Sequence, residues 1–229
     1  MVIYFVRHGH PDYKNDCLTP LGKRQAEKAS EVVSDLGIET IFASTKGRAM
    51  ETAEYTAKKL GLPIIPCEFM REISWESKNG ELILENGHPW NVANAFASLG
   101  VSLCDNDWRN KEPFCNSVIV QKVDAVIKGF DSLLLELGYK REGDYYRVVG
   151  EETDKKIAVF SHAGSSSAVI SHLLNVPFPQ ICGFFSLDFT SVTAIKLSDE
   201  KGKLICPKLK YSNDAKHIVG ISVENIYGN

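Results

Sequence analysis

The sequence predicts an α/β fold, a three-layer α/β/α sandwich with a mostly parallel central sheet and an inserted lid segment. Short apolar runs alternate with stretches of helical period, which is the pattern of a sheet covered by helices. Polar motifs follow directly after several of these runs, where the strands of such a sheet end. The 229 residues, 44% of them hydrophobic, can enclose one core, so we predict a single domain over residues 1–229.

The N-terminal part of the chain predicts two strands separated by a helix. Residues 2–6 form an apolar run that suits a buried strand. Thr19 suits the N-cap of a helix and Pro20 its first position, and Gly37 is placed to end it. Residues 40–43 then predict a second strand.

The middle of the chain continues this alternation. A helix is predicted over about 48–60 with Gly61 at its end, followed by a strand over 64–67. The polar linker 138–156 predicts a hairpin. A long helix before it is predicted from apolar residues at helical spacing, namely Val123, Ile127, Phe130, Leu134 and Leu137.

The C-terminal part predicts a buried strand over 156–160 and a helix over 165–174. Two further apolar segments, 191–197 and 204–209, predict a hairpin that turns at 199–202, where Gly202 follows charged residues.

Segment 74–116 departs from this rhythm, since it is rich in Glu, Asn and Gly and contains Trp75, Trp90 and Trp108. We predict that it is an insertion over the active site, a lid or binding loop that holds a helix at about 89–99. Exposed tryptophans in it would make a homodimer contact possible.

Composition restricts the partners. A net charge of -3 and a sequence pI near 6.1 provide no general basic field for nucleic acid. No apolar stretch approaches the roughly 20 residues that span a bilayer, and the N-terminal charges do not follow a signal-peptide pattern. The six cysteines form no Cys-x-x-Cys pair. We therefore predict a cytoplasmic protein with reduced thiols, no zinc site, and neither nucleic acid nor a membrane as partner.

The tripeptide Arg7-His8-Gly9 follows the first predicted strand and suits phosphate chemistry. An imidazole can attack phosphorus only when it is neutral, and a guanidinium beside it disfavours protonation while binding phosphoryl oxygens. Ser44 and His162 lie just past two other predicted strands. Because open α/β sheets build their ligand crevices at such strand ends, we expect the three positions to converge.

Four further motifs lie downstream in a fixed order: Leu-Thr-Pro-Leu-Gly at 18–22, a Ser-x-x-x-Arg-Ala-x-x-Thr-Ala pattern at 44–53, Arg-Glu-Ile-Ser at 71–74, and Ser-His-Ala-Gly at 161–164. Together with Arg7-His8-Gly9 they resemble the motifs of the histidine phosphatase superfamily, the phosphoglycerate mutase-like family. The resemblance extends from Met1 to about Ile195.

This resemblance implies a phosphomonoesterase that passes a phosphoryl group from a small-molecule phosphate ester to His8 and then to water. Arg7, Arg48 and His162 are the candidates to hold the equatorial phosphoryl oxygens, in place of any metal or cofactor. Glu72 is the candidate proton donor, which requires a raised pKa.

Four residues complete the predicted substrate-binding set. Ala163 stands where the family usually has Gly, and with Gly164 it would let the backbone approach an anion at a helix N-terminus. Thr19 is mainly a helix cap, and Asn15 and His10 lie in the loop after the first motif.

Three alternatives stay open. A phosphoglycerate mutase-type phosphotransferase is disfavoured because the residues from His10 onward depart from the pattern of family mutases. A non-catalytic phospho-ligand-binding module would keep the pocket without turnover. A metal-dependent hydrolase could use His8 and His10 as a His-x-His pair, but this leaves Arg7 unexplained and would place two cations together.

Overall fold

The computed structural model describes residues 1–79, 92–151 and 153–221. Its strands in chain order are β1 (Val2–Arg7), β2 (Pro11–Asp12), β3 (Cys17–Leu18), β4 (Thr40–Ser44), β5 (Ile64–Cys67), β6 (Tyr139–Glu142), β7 (Tyr145–Val148), β8 (Lys156–Ser161), β9 (Val192–Lys196), β10 (Leu204–Ile205) and β11 (Lys208–Asp214). Its α-helices are α1 (Pro20–Ser34), α2 (Gly47–Leu60), α3 (Val92–Ser98), α4 (Ile119–Glu136), α5 (Ala163–Leu174) and α6 (Phe178–Phe184).

The central sheet has six strands in the order β11-β9-β1-β8-β4-β5. The strand pairs β1 with β8, β8 with β4, and β4 with β5 are parallel, whereas β9 pairs antiparallel with both β1 and β11. The fold is therefore the predicted mixed α/β fold, with a mostly parallel sheet in which β9, next to the edge strand β11, runs opposite to the other five strands.

Side chains of β1 alternate between two hydrophobic cores. Ile3 and Phe5 pack with the helices α4, α5 and α6 on one face of the sheet, and Tyr4 and Val6 pack with α1 and α2 on the other. Successive residues of a strand point to opposite faces, so a fully apolar strand requires cover on both. The three predicted layers are confirmed.

Local signals fix the helix boundaries near the site. The Thr19 hydroxyl accepts a hydrogen bond from the Gly22 N–H at 3.1 Å and caps α1, which begins at Pro20 as predicted. Gly61, at φ +67°, ends α2 in the left-handed conformation that glycine adopts without strain. Helix α5 begins at Ala163, two residues before the predicted start, because His162 is its N-cap.

The predicted hairpin between 191–197 and 204–209 is confirmed for 208–209, which pair antiparallel with β9, and is wrong for 204–205 and for the tight turn at 199–202. Strand β9 pairs with β11, while β10 leaves the central sheet and pairs with β7 in a three-stranded sheet of order β10-β7-β6. The Gly202 N–H donates to the Val148 carbonyl, so the turn after β9 leads to β7 and not back along β9. The hairpin predicted within 138–156 is confirmed as the β6–β7 pair.

The described part of the insertion is packed into the molecule by aromatic residues. Trp75 and Trp108 are buried against Phe114 and Phe178, so these two side chains pack the insertion and are not exposed for a dimer contact. Burial of such large rings is the dominant hydrophobic contribution here. Trp90 and the predicted start of the insertion helix lie outside the described residues. The position of the insertion over the site and the homodimer stay predictions.

The helices that the structure describes include none with the length and hydrophobicity that a bilayer crossing requires.

Candidate active site

Three neighbouring parallel strands end at one edge of the sheet and bring distant residues together. His8 follows β1, Ser44 ends β4 and His162 follows β8. The ring centroids of His8 and His162 are 5.0 Å apart, and Ser44 Oγ lies 2.8 Å from His162 Nε2. The predicted convergence of these three positions is present.

His8 is held as a neutral imidazole with its Nε2 lone pair available. Its Nδ1–H donates to the Gly9 carbonyl at 2.7 Å, and its Nε2 accepts from Arg48 Nε at 3.3 Å. The carbonyl can only accept and the guanidinium can only donate, so both contacts require the same tautomer. Burial, followed by the charge of Arg7, sets the pKa of His8 well below its ordinary value of 6.5.

Arg48 is buried at the start of α2 and is oriented by an acidic residue. Its Nη1 donates to Asp16 Oδ1, and Asp16 Oδ2 accepts from the Gly47 N–H at 2.9 Å. Burial alone would raise the pKa of Asp16, but these bonds and the Arg48 charge hold it below its ordinary value. Asp16 therefore stays anionic and keeps the guanidinium on His8.

Arg7 is oriented by different chemistry, from residues near the C-terminal end of the sheet. Its Nη1 donates to the Leu187 carbonyl, and its guanidinium carbon lies 4.1 Å from the centre of the Phe189 ring. The same ring lies 5.7 Å from the His8 ring, measured between centroids. One aromatic side chain thus contacts both the first cation and the predicted nucleophile.

His162 is fully buried at the N-cap position of α5. Its Nδ1 is buried and has no hydrogen-bond partner within the described part of the chain. Burial, then the neighbouring His8 and the two arginines, places the pKa of His162 well below 6.5. It is therefore neutral near pH 7.

Glu72 lies against the N-terminus of α5. Its Oε1 accepts from the backbone N–H groups of Ile73, Gly164 and Ser165 at 3.0, 3.1 and 3.3 Å. Burial raises the pKa of Glu72, although these bonds and the charges of Arg7 and Arg48 act in the opposite direction. The raised pKa that a proton donor needs is present.

The group at the N-terminus of α5 is thus the carboxyl group of Glu72. A Cβ atom at Gly164 would lie 2.7 Å from Glu72 Oε1 and 2.7 Å from Ile73 Cγ1, so glycine is required for this contact. The side chain of Ala163 is 8% exposed and packs in the hydrophobic core. The N–H groups expected to approach a substrate phosphate here hold the acid instead.

The model of the family described as histidine phosphatase superfamily (branch 1) matches residues 3–97, which include Arg7, His8, Arg48 and Glu72. Over this segment the chain is similar to the histidine phosphatase superfamily.

Individual relatives extend the comparison. A Hydrogenobacter thermophilus protein named "Putative phosphoserine phosphatase 2" is 21% identical over 212 residues, 89% of this chain and 93% of that protein. An Escherichia coli protein named "Probable phosphoglycerate mutase" is 30% identical over 100 residues, 38% of this chain and 46% of that protein. The solved structure of a mycobacterial glucosyl-3-phosphoglycerate phosphatase with VO3 has a TM-score of 0.62 at 22% identity, covering 93% of this chain and 98% of that one. The similarity to this solved structure shows the fold of the chain.

The remaining predicted binding residues lie at different distances from the pair of histidines. The His10 ring is 5.4 Å from the Phe189 ring, and its Nδ1 is 2.9 Å from Thr19 Oγ1. Burial, then Arg7, lowers the pKa of His10. Asn15 is exposed, and its amide donates to Asp12 at 2.7 Å. His10 therefore borders the site, whereas the Asn15 side chain is engaged within its own turn.

Sequence reasoning missed four residues that shape this site: Tyr13, Asp16, Leu187 and Phe189. Arg48 lies 5.4 Å from the centre of the Tyr13 ring. Asp16 adopts φ +50°, a conformation in which Asp is enriched, so an Asp in a short polar turn before a motif was an available signal. The other two contact Arg7 from a loop without any motif.

Within residues 1–79, 92–151 and 153–221, no three His, Cys, Asp or Glu side chains are grouped so that they could hold a metal ion. The lone pair of His8 that a metal would need faces the Arg48 guanidinium. A dication there would meet a permanent cation, which makes His8 and His10 a poor ligand pair.

Proposed function

We propose that this protein is a metal-independent phosphomonoesterase that hydrolyses a small-molecule phosphate ester through a phosphohistidine on His8. The observation that carries the proposal is the state of His8. Its imidazole is buried and neutral, its ring lies against the ring of His162, and its Nε2 lone pair accepts from the Arg48 guanidinium. A fixed tautomer beside preset cations is what attack on a phosphoryl group requires.

In the first step His8 Nε2 attacks phosphorus, the N–P bond forms and the ester P–O bond breaks. Glu72 donates its proton to the departing alkoxide. Arg7 and Arg48 lose none of their charge as the phosphoryl group passes, so they stabilise its oxygens throughout. The Arg48 donor presently on Nε2 has to turn to a phosphoryl oxygen when phosphorus approaches that lone pair.

In the second step water attacks phosphorus, the N–P bond breaks and inorganic phosphate leaves. Glu72, now anionic, takes one proton from the water. This reversal of roles restores both residues to their resting protonation states, so the cycle needs no cofactor.

The test is transfer of labelled phosphoryl to the protein. The wild type is mixed with an excess of a labelled aryl phosphate, quenched in alkaline denaturant within milliseconds, and digested for mapping, because a phosphohistidine survives base. We expect label on His8 and none in His8→Ala, together with loss of nearly all turnover in that variant. Turnover that persists in His8→Ala contradicts the mechanism.

The mutase alternative is supported by the relative named as a phosphoglycerate mutase. The two activities differ in the fate of the phosphoryl group, which returns to an organic hydroxyl in a mutase and goes to water in a phosphatase. We expect release of inorganic phosphate from 3-phosphoglycerate or phosphoserine without formation of an isomeric ester. Retention of activity in EDTA separates both from a metal-dependent hydrolase.

A further inference from the structure

The loop Leu187–Thr190, which we name the Arg7 clamp, surrounds the first cation of the site. The Leu187 carbonyl accepts from Arg7 Nη1, and the Phe189 ring lies against the guanidinium at 4.1 Å. A hydrogen bond fixes where one edge of a planar guanidinium lies, and a ring against its face fixes the plane. Together the two contacts leave little freedom of orientation.

The clamp is held in a conformation that its sequence does not favour. Thr190 is fully buried at φ +58°, a region that β-branched residues rarely adopt. Its N–H is shared between the Arg7 carbonyl at 3.0 Å and the His8 carbonyl at 3.3 Å. Strain of this kind persists only where surrounding contacts outweigh it, and it concentrates at functional sites.

Those surrounding contacts come from the segment that follows. Asn213, itself at φ +55°, accepts from the Asp188 N–H at 2.6 Å and donates to Asp188 Oδ2 at 2.9 Å. His217 Nε2 lies 3.0 Å from Thr190 Oγ1. Asn213 near the end of β11 therefore fastens the clamp at Asp188, and His217 just beyond that strand fastens it at Thr190.

We propose that the Arg7 clamp, fastened by Asn213 and His217, is a positioning element that sets the orientation of Arg7 toward the phosphoryl group. The inference rests on the proposed function and adds to it residues that form and break no bond in the reaction. Its physical basis is preorganisation: a cation already oriented for the transition state loses no rotamer freedom during the reaction.

The first experiment separates the effect of the aromatic face of Phe189 from the effect of its size. Phe189→Leu keeps an apolar side chain but removes the aromatic face, whereas Phe189→Tyr retains the face. We expect Phe189→Leu to lower kcat roughly 3- to 30-fold toward an aryl phosphate with KM nearly unchanged, since the interaction acts in the transition state. Inhibition by orthovanadate should weaken more than inhibition by inorganic phosphate, and Phe189→Tyr should recover most of the loss.

The second experiment changes a residue that contacts Thr190 of the clamp from outside the clamp. His217→Ala removes the contact with Thr190, and Val219→Ala alters a neighbouring side chain that is 80% exposed. We expect His217→Ala to lower kcat severalfold with the same vanadate signature, and Val219→Ala to match the wild type. Folding is verified by the melting temperature of each variant.

The outcomes distinguish the two proposals. Wild-type kcat in both Phe189→Leu and His217→Ala, or a loss confined to KM or to melting temperature, overturns the clamp while leaving the phosphatase intact. A wild type that hydrolyses no ester overturns the proposed function. In that case calorimetric binding of inorganic phosphate decides the clamp, which stands if Phe189→Leu weakens binding and falls if binding is unchanged or absent from the wild type.

Discussion

The two halves of the proposed site are His8 at the end of β1, the proposed nucleophile, and Glu72 at the N-terminus of α5, the proposed acid. Both are buried, but burial shifts their pKa values in opposite directions. Burial lowers the pKa of His8 and raises the pKa of Glu72, so each group is driven to its neutral form. One becomes a base with a lone pair and the other an acid with a proton.

The two halves differ in what their neighbours add. The charges of Arg7 and Arg48 act in the same direction as burial on His8, but against burial on Glu72. The backbone N–H groups of α5 oppose burial on Glu72 as well. The nucleophile is therefore firmly neutral, while the acid is balanced between opposing contributions, as a group that must release and recover a proton has to be.

Removal of the acid should have the largest effect and should depend on the leaving group. Glu72→Gln keeps the size of the side chain but cannot donate the proton. We expect kcat/KM to fall roughly 10²- to 10⁴-fold for alkyl phosphates, whose leaving groups are strongly basic. The loss should be much smaller for 4-nitrophenyl phosphate, which needs little protonation. Equal losses for the two substrates would mean that Glu72 is not the proton donor.

Moving the Glu72 carboxyl group without replacing Glu72 tests the importance of its position separately from its chemistry. A Cβ at position 164 would meet Glu72 Oε1 at 2.7 Å, so Gly164→Ala should move the carboxylate and cost on the order of tenfold to a hundredfold in kcat for alkyl phosphates. Ala163→Gly, one residue earlier, is the matched control and should retain activity more closely. Activity of Gly164→Ala equal to that of its control would contradict the assigned contact.

The pH profile of kcat/KM distinguishes the halves directly. The reaction needs neutral His8 and protonated Glu72, so activity is lost as pH falls through the pKa of His8 and as pH rises through the pKa of Glu72. Arg7→Gln removes a charge that lowers both pKa values, so both limbs should move to higher pH. Gly164→Ala weakens the N–H bonds to Glu72 and should therefore raise the pKa of Glu72 alone. Only the alkaline limb should then move to higher pH. Movement of only one limb in Arg7→Gln would contradict the expectation that Arg7 lowers the pKa of both His8 and Glu72.

The smallest effect is expected at Asp16, which holds Arg48 from a partly exposed position. Asp16→Asn retains a side chain that tolerates φ +50° but removes the charge that pairs with the guanidinium. We expect a change in kcat/KM of less than about fivefold, diminishing in high salt, because exposed ion pairs contribute little. A salt series on wild type and variant measures it. A larger, salt-independent loss would indicate that Asp16 acts within the chemistry.

Much of the proposed catalytic set could be predicted from the sequence because each member is tied to a strong local signal. His8 and His162 follow apolar runs that become β1 and β8, and Arg48 opens a helix with a clear stop at Gly61. Parallel strands end at one edge of a sheet, so three local signals were enough to predict a long-range meeting.

The residues that orient this set were not readable, for physical reasons. Leu187 acts through its backbone carbonyl, which every residue possesses, and Phe189 acts through a ring that is more often simply packed. The error in the predicted hairpin has a similar cause, since 204–209 divides between β10 and β11, which join different sheets. Strand pairing depends on which partner is near, and period-2 patterns do not encode that.

The hydrogen bond from Arg7 to Leu187 joins positions 180 residues apart, and this has a consequence for how the protein matures. Contacts of such separation form late, because a long loop must close before they can stabilise anything. During synthesis the first motif leaves the ribosome long before the loop that orients its guanidinium. The catalytic cation should therefore be among the last features to become ordered, and nascent chains halted short of that loop should carry every early motif yet turn over no substrate.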